Sequence, residues 1–118
     1  MPWTVLLCDE FSDEIDDLPI KVQDEIFKFA GLLQEFGSNY RGNRKADTLK
    51  GSKISNLKEL RFKASDGVWR VLYAFDPKRQ AIILIAGDKS GVSQKRFYKQ
   101  IIKKAEERYD NHLSTLDK

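Results

Sequence analysis

"LKELRFKASDGVWRVLY", residues Leu57 to Tyr73, is the stretch whose reading decides the fold. Two runs of alternating large apolar residues flank the turn signal "ASDG", which predicts a β-hairpin with strands over Leu57–Lys63 and Val68–Phe75. Four cations, Lys58, Arg61, Lys63 and Arg70, stand among those apolar residues. Side chains alternate along a strand, so Leu60 and Phe62 point to a core while Glu59, Arg61 and Lys63 point the other way. Arg70 interrupts the apolar run "VWRVLYAF", and a short turn brings it near Arg61 or Lys63. Neighbouring strands lie ~5 Å apart, so three cations converge on one patch of an open sheet face. Like charges at that distance repel unless an anion sits between them, and a phosphate is the anion this pattern suggests. The plain alternative is a set of solvated lysines and arginines, which is how Lys58, Lys78 and Arg79 read.

Working outward, "WTVLLC" (Trp3–Cys8) is short, apolar and followed by acids, as expected of a first strand. Phe11, Ile15 and Leu18 then recur at helical spacing in "DEFSDEIDDL". Pro19 suits the first turn of a second helix, where Val22, Ile26, Phe29, Leu33 and Phe36 form one stripe and Gly37 is a natural stop. Residues 37–56 are rich in glycine and cations and poor in apolar anchors, which predicts a long loop. "AIILIA", within a third strand of the sheet's middle over Ala81–Gly87, is apolar on both faces. A last helix is expected from Val92 to about Tyr109, with Phe97, Ile101 and Ala105 buried. The order β-α-α-β-β-β-α predicts an α+β fold: a mostly antiparallel small sheet packed by an N-terminal helical hairpin and a C-terminal helix.

The chain has 118 residues, 41% of them hydrophobic, enough for one domain over 1–118 with a single core. No apolar run approaches the ~18 residues of a membrane span, and the expected setting is cytoplasmic. Cys8 has no partner for a disulfide, and with only His112 beside it a zinc site is not expected; it reads as a small buried hydrophobe. The acids Asp9, Glu10, Asp13, Glu14, Asp16 and Asp17 read as a solvated helix face rather than a magnesium site.

Net charge is +3, but it is unevenly spread. Residues 1–39 hold nine acids and two bases, whereas residues 40–105 hold seventeen bases and five acids. That basic block suggests a polyanion partner, nucleic acid first. Tyr40, Arg41, Arg44, Lys45, Lys50 and Lys53 in the loop, and Lys95, Arg96 and Lys99 on the last helix, are candidate phosphate contacts, with ribosomal RNA the natural candidate.

"LKELRFKASDGVWRVLYAF", "AIILIAGDKSG" and the basic "SQKRFYKQIIKKA" together resemble the RelE/ParE superfamily of bacterial toxins, and more closely its phage-associated HigB-like branch. The resemblance spans essentially the whole chain; "LRFK…GVWRVLY" and "GDK…KRFYKQ" are its specific parts. It implies a toxin of a type II toxin–antitoxin system that cleaves mRNA, typically in the ribosomal A site. It also implies a cognate antitoxin, commonly with a helix-turn-helix DNA-binding domain. The family's central arginine matches Arg70, and its basic residues on the preceding strand fall on Arg61 and Lys63. Glu59 stands where RelE-like members have a lysine. The family's second arginine corresponds to Lys89 and its C-terminal tyrosine to Tyr98. The histidine used by some HigB members has no match, because His112 falls in the expected frayed tail.

Cleavage through the RNA 2′-OH then assigns Arg61 and Arg70 to charge on the phosphorane-like transition state, Lys63 or Lys89 to the base, and Tyr98 to donating or relaying a proton or stacking on a base, with no metal or other cofactor. Two other readings stay open at this point. A ParE-like gyrase poison would need no such cation cluster. A plain nucleic-acid-binding module would bind RNA with steep salt dependence and yield no product.

Overall fold

Ser65 and Asp66 both take a left-handed conformation, with φ of 50° and 62°, and close a two-residue turn between strands β3 (Lys58–Ala64) and β4 (Gly67–Phe75). A turn of this kind matches the right-handed twist of its strands and therefore sets their register. The register places Arg61 directly opposite Arg70, Phe62 opposite Trp69 and Lys63 opposite Val68. The computed structural model describes residues 3–37, 46–54 and 56–116, and the hairpin lies at its centre.

Strand β5 (Gln80–Asp88) pairs antiparallel with β4, and β1 (Thr4–Leu7) adds to β5 in parallel. A short edge strand β2 (Ala46–Thr48) pairs antiparallel with β3, giving the order β1-β5-β4-β3-β2. This edge strand corrects the expectation of an unbroken loop over 37–56. Three polar or small residues carry no periodicity that could announce it; they are recruited by the unpaired edge of β3. Helices α1 (Asp9–Glu14), continued by a 3₁₀ turn over Ile15–Asp17, and α2 (Ile20–Phe36) form the N-terminal hairpin, and α3 (Gln94–Leu116) closes the chain.

Alternation along β4 sends Val71 and Tyr73 to one face and Arg70 and Leu72 to the other. On the first face Tyr73 meets Phe29 of α2 edge-to-face at 5.1 Å. The second face is covered by α3. Gly87, the register partner of Arg70, is approached so closely that a Cβ there would lie 3.0 Å from Ile101 Cδ1 and 3.2 Å from Phe97 Cε1. The sheet face carrying the arginines is therefore not open along its length, as the alternating pattern alone suggests. Between Leu72 and Tyr73 the β4–β5 register shifts, leaving Leu84 as the extra residue of a bulge. Bulges of this sort sharpen twist and re-aim side chains.

The core contains Phe11, Ile15, Val22, Ile26, Phe29 and Leu33 from the hairpin and Phe97, Ile101, Ile102 and Ala105 from α3. Phe36 departs from the expected stripe: it is 45% exposed, at the last residue of α2. Gly37 ends that helix at φ 56°, and an added Cβ would overlap the Trp3 indole. Glycine serves there for both reasons.

α3 runs further than expected, to Leu116, so His112 is not in a frayed tail. Its Nε2 lies 2.8 Å from Asp76 Oδ2, and its side chain is 12% exposed. Asp76, buried beneath the β4–β5 turn, also accepts bonds from the Lys78 and Gln80 backbone amides and the Gln80 side chain. Two acids of α1, Glu10 and Glu14, prove structural too. Glu14 takes a two-pronged contact from Arg108, at 2.8 and 2.7 Å, while Arg108 Nη1 also donates to the Leu84 carbonyl, and Glu10 accepts from Asn111. These bonds tie α1 to α3 across the end of β5.

Two stability measurements follow from these contacts. Gly37→Ala should destabilise by about 2 kcal/mol, through a left-handed backbone and a clash with Trp3, as read by denaturant unfolding. Burial opposes ionisation of Asp76, yet the hydrogen bonds from His112, Gln80 and Lys78 hold its carboxyl below the ordinary carboxylate value. A depressed value stabilises the fold above the unfolded-state value, ~3.9 for aspartate, and that stability is lost as pH falls through the folded-state value. Asp76→Ala should therefore cost about 2 kcal/mol at pH 7, a deficit that narrows below about pH 4. A deficit unchanged down to pH 2 would contradict this account.

Candidate functional site

The register of β3 against β4 puts two guanidinium-bearing side chains side by side, Arg61 on β3 and Arg70 on β4. Both point to the face that α3 covers, near that helix's first turns. Two arginines so placed repel, and Glu59, two residues before Arg61 on the same face, sits between them. Its side chain is only 9% exposed, against 43% for Arg61, and its Oε1 lies 3.7 Å from Arg61 Nε. From α3, the Tyr98 hydroxyl donates to Glu59 Oε2 at 2.7 Å and accepts from Arg70 Nε at 2.9 Å. Arg70 Nη1 donates in addition to the Trp69 carbonyl at 3.0 Å. The result is a chain of contacts, Arg61–Glu59–Tyr98–Arg70, that holds one negative group between two positive ones.

Electrostatics follow from that order. Burial and the hydrogen bond to Glu59 push the Tyr98 phenol above its ordinary value, against the pull of Arg70. The phenol is thus a neutral group at pH 7 whose single proton is engaged with Glu59. Arg70 is more enclosed than an open sheet-face residue, with two of its donors committed inside the protein. Among the described residues no further group accepts from its guanidinium.

The remaining predicted residues fall into three groups. Lys63, exposed, lies opposite Val68, and Lys89 bonds through its backbone amide to the Val68 carbonyl at 2.7 Å. The two lysines therefore flank Val68 on either side, about two strand spacings or ~10 Å apart. Asp88 anchors that corner, accepting from the Val68 and Ser90 amides. Lys89 Nζ stands 3.4 Å from Gln94 Oε1, a long contact. Lys95, Arg96 and Lys99 are exposed on the first turns of α3, and Lys50 and Lys53 are exposed after β2. Tyr40, Arg41, Arg44 and Lys45 lie outside the described residues. Arg79, read from the sequence as a solvated cation, lies over the Trp3 ring at 5.2 Å.

Glu59 is the residue whose part in the site the sequence did not disclose. The signal was present as a carboxylate two positions before Arg61 on one strand face; what was missing is that a tyrosine from a helix 39 residues away would complete it. A cleft of about 590 Å³ at the other end of the molecule is lined by Cys8, Glu10, Asn111 and His112. Burial pushes the Cys8 thiol up, and the thiol donates to the Leu84 carbonyl, so it is a packing residue and not a ready nucleophile. Among the described residues no group of three or more His, Cys, Asp or Glu side chains is placed to hold a metal ion, and no helix is long and apolar enough to cross a membrane.

Known proteins resemble this chain in sequence and in fold. The family model described as phage-derived protein Gp49-like matches residues 13–110. HigB2 of Mycobacterium tuberculosis, described as a candidate toxin, is 36% identical over 123 residues, which cover 95% of this chain and 60% of that protein. HigB3 of the same organism, described in the same way, is 43% identical over 74 residues, 63% of this chain and 62% of that protein. The matched regions thus span about three fifths of each mycobacterial protein. Among solved structures, a doubly substituted E. coli toxin RelE in its free state superposes with a TM-score of 0.53 at 14% identity, covering 76% of this chain and 86% of that one. At that identity the likeness is one of fold. The chain belongs to the phage-derived Gp49-like family.

Proposed function

We propose that this chain is the toxin of a type II toxin–antitoxin pair and that it cleaves mRNA bound to the ribosome. The observation that carries the proposal is the Arg61–Arg70 register pair, placed at the rim of α3 with Lys63 and Lys89 beside it. A guanidinium matches two phosphate oxygens with parallel hydrogen bonds and keeps its charge at any physiological pH. Two of them at one strand spacing can share the charge that develops on a phosphorus under attack.

The reaction is a transesterification. The RNA 2′-oxygen attacks the adjacent phosphorus as its proton passes to a base, and the bond from phosphorus to the 5′-oxygen breaks. That oxygen takes up a proton, leaving a 2′,3′-cyclic phosphate and a 5′-hydroxyl. Arg61 and Arg70 are placed on the phosphoryl oxygens. Lys63 and Lys89, at the exposed end of the cluster, are the candidates for the base. Lys50, Lys53, Lys95, Arg96 and Lys99, with Tyr40, Arg41, Arg44 and Lys45, are proposed to hold mRNA and ribosomal RNA by their phosphates, which orients the protein without reading sequence. The natural regulator is a cognate antitoxin with a helix-turn-helix DNA-binding domain, expected to cover or distort the basic face.

Arg61→Ala is the cleaner probe, because Arg61 is the more exposed of the pair and its removal should leave stability within about 0.5 kcal/mol. Arg70→Ala also removes the bond to Tyr98. Either change should slow cleavage by ~10²–10³-fold, the usual loss of a transition-state donor. Induced expression in cells, followed by primer extension across several mRNAs, checks this. Discrete cuts within translated regions, absent with folded Arg61→Ala or Arg70→Ala protein, are expected. Growth arrest with intact mRNA would refute the nuclease and point to gyrase; RNA binding with neither arrest nor cuts would leave a binding module.

A further inference from the structure

Within the cluster, one atom-level fact limits what Tyr98 can do. A phenol has one proton, and this one is given to Glu59 Oε2 at 2.7 Å. The Tyr98 hydroxyl oxygen in turn accepts from Arg70 Nε at 2.9 Å. So long as Glu59 holds that proton contact, Tyr98 faces Arg70 as an acceptor and has no hydrogen to offer a leaving group. Arg70 is then pinned on one side by the Tyr98 oxygen and on another by the Trp69 carbonyl. Its remaining amino group is the one that two fixed partners leave to turn toward a ligand. Glu59 is almost fully enclosed and its other oxygen reaches Arg61 only at 3.7 Å, so its shortest contact is the one that orients the phenol.

We infer that Glu59 is a positioning residue: through Tyr98 it holds Arg70 in place, so that Tyr98 serves as an anchor for Arg70 and not as the acid that protonates the leaving oxygen. This rests on the nuclease proposed above, and it replaces the proton-donor role that the family resemblance suggested for Tyr98. Glu59 itself is not the base, because its carboxylate is almost fully enclosed and already accepts the phenol proton.

The test is single-turnover cleavage of ribosome-bound mRNA by the full chain, with the scissile 5′-oxygen either normal or replaced by sulfur. A thiolate leaves without being protonated, so a missing acid is repaired by the sulfur substrate and a misplaced arginine is not. Tyr98→Phe and Glu59→Ala should each slow cleavage by ~10–10²-fold, the loss expected from mispositioning a catalytic group. The deficit should be equal on both substrates, and the double variant should be no slower than the slower single variant. Glu59→Gln, whose amide oxygen can still accept from the phenol, should keep most of the wild-type rate.

Rescue of Tyr98→Phe by the sulfur substrate would overturn the inference and make Tyr98 the acid. Glu59→Gln as slow as Glu59→Ala would overturn it and require the carboxylate charge itself. The second readout needs no cleavage: exchange of the Arg70 Nε–H with water, followed by NMR, should quicken in Tyr98→Phe and Glu59→Ala and stay slow in Glu59→Gln. If the wild-type protein cuts nothing, the nuclease reading fails, and this exchange alone decides whether Glu59 holds Arg70. Unchanged exchange in all three variants would refute the positioning.

Discussion

Arg61 and Arg70 face each other across one strand pair, and the rest of the site answers the repulsion that this creates. Two guanidinium groups at a strand spacing in a partly enclosed place repel, and that cost is lowered by a nearby opposite charge. Glu59 supplies it from inside, and Tyr98 spreads it to the second arginine. The internal anion compensates one unit of charge for two, so the cluster stays net positive with Lys63 and Lys89 beside it. A surface poised in that way is stable enough to fold and still attractive to a phosphate.

Several distant features serve that arrangement. The two-residue turn at Ser65–Asp66 fixes the register; a slip of one residue would send Arg61 to the opposite face. Gly87 lets α3 lie close enough to β5 for Tyr98 to reach over β4 to β3. At its other end α3 is held by Arg108 on Glu14 and by His112 on Asp76, so the acidic N-terminal segment helps to aim the basic site. Charge asymmetry in the sequence is therefore part of the fold.

The fold and the arginine pair were legible because period-two alternation and a short turn act locally. Leu60, Phe62, Arg61 and Arg70 lie within eleven residues, and local geometry alone places them. A phage-associated family resemblance was legible from the same residues, and the chain belongs to the phage-derived Gp49-like family. What escaped depends on long-range packing. The edge strand Ala46–Thr48 exists because β3 offers it unpaired backbone, and α3 persists to Leu116 because His112 finds Asp76. The part played by Glu59 needed Tyr98 brought in from another element. Phe36 was misplaced because helical spacing says which side a residue is on, and not whether anything covers the end of the helix.

The most direct test of this account is an NMR titration of the arginine Nε–H signals with an uncleavable 2′-O-methyl dinucleotide, which detects even weak binding. The account predicts that the Arg61 and Arg70 signals shift together and saturate, and that added salt reverses the shift. Shifts confined to α2 or to the Cys8–His112 cleft, with both arginines unmoved, would contradict it.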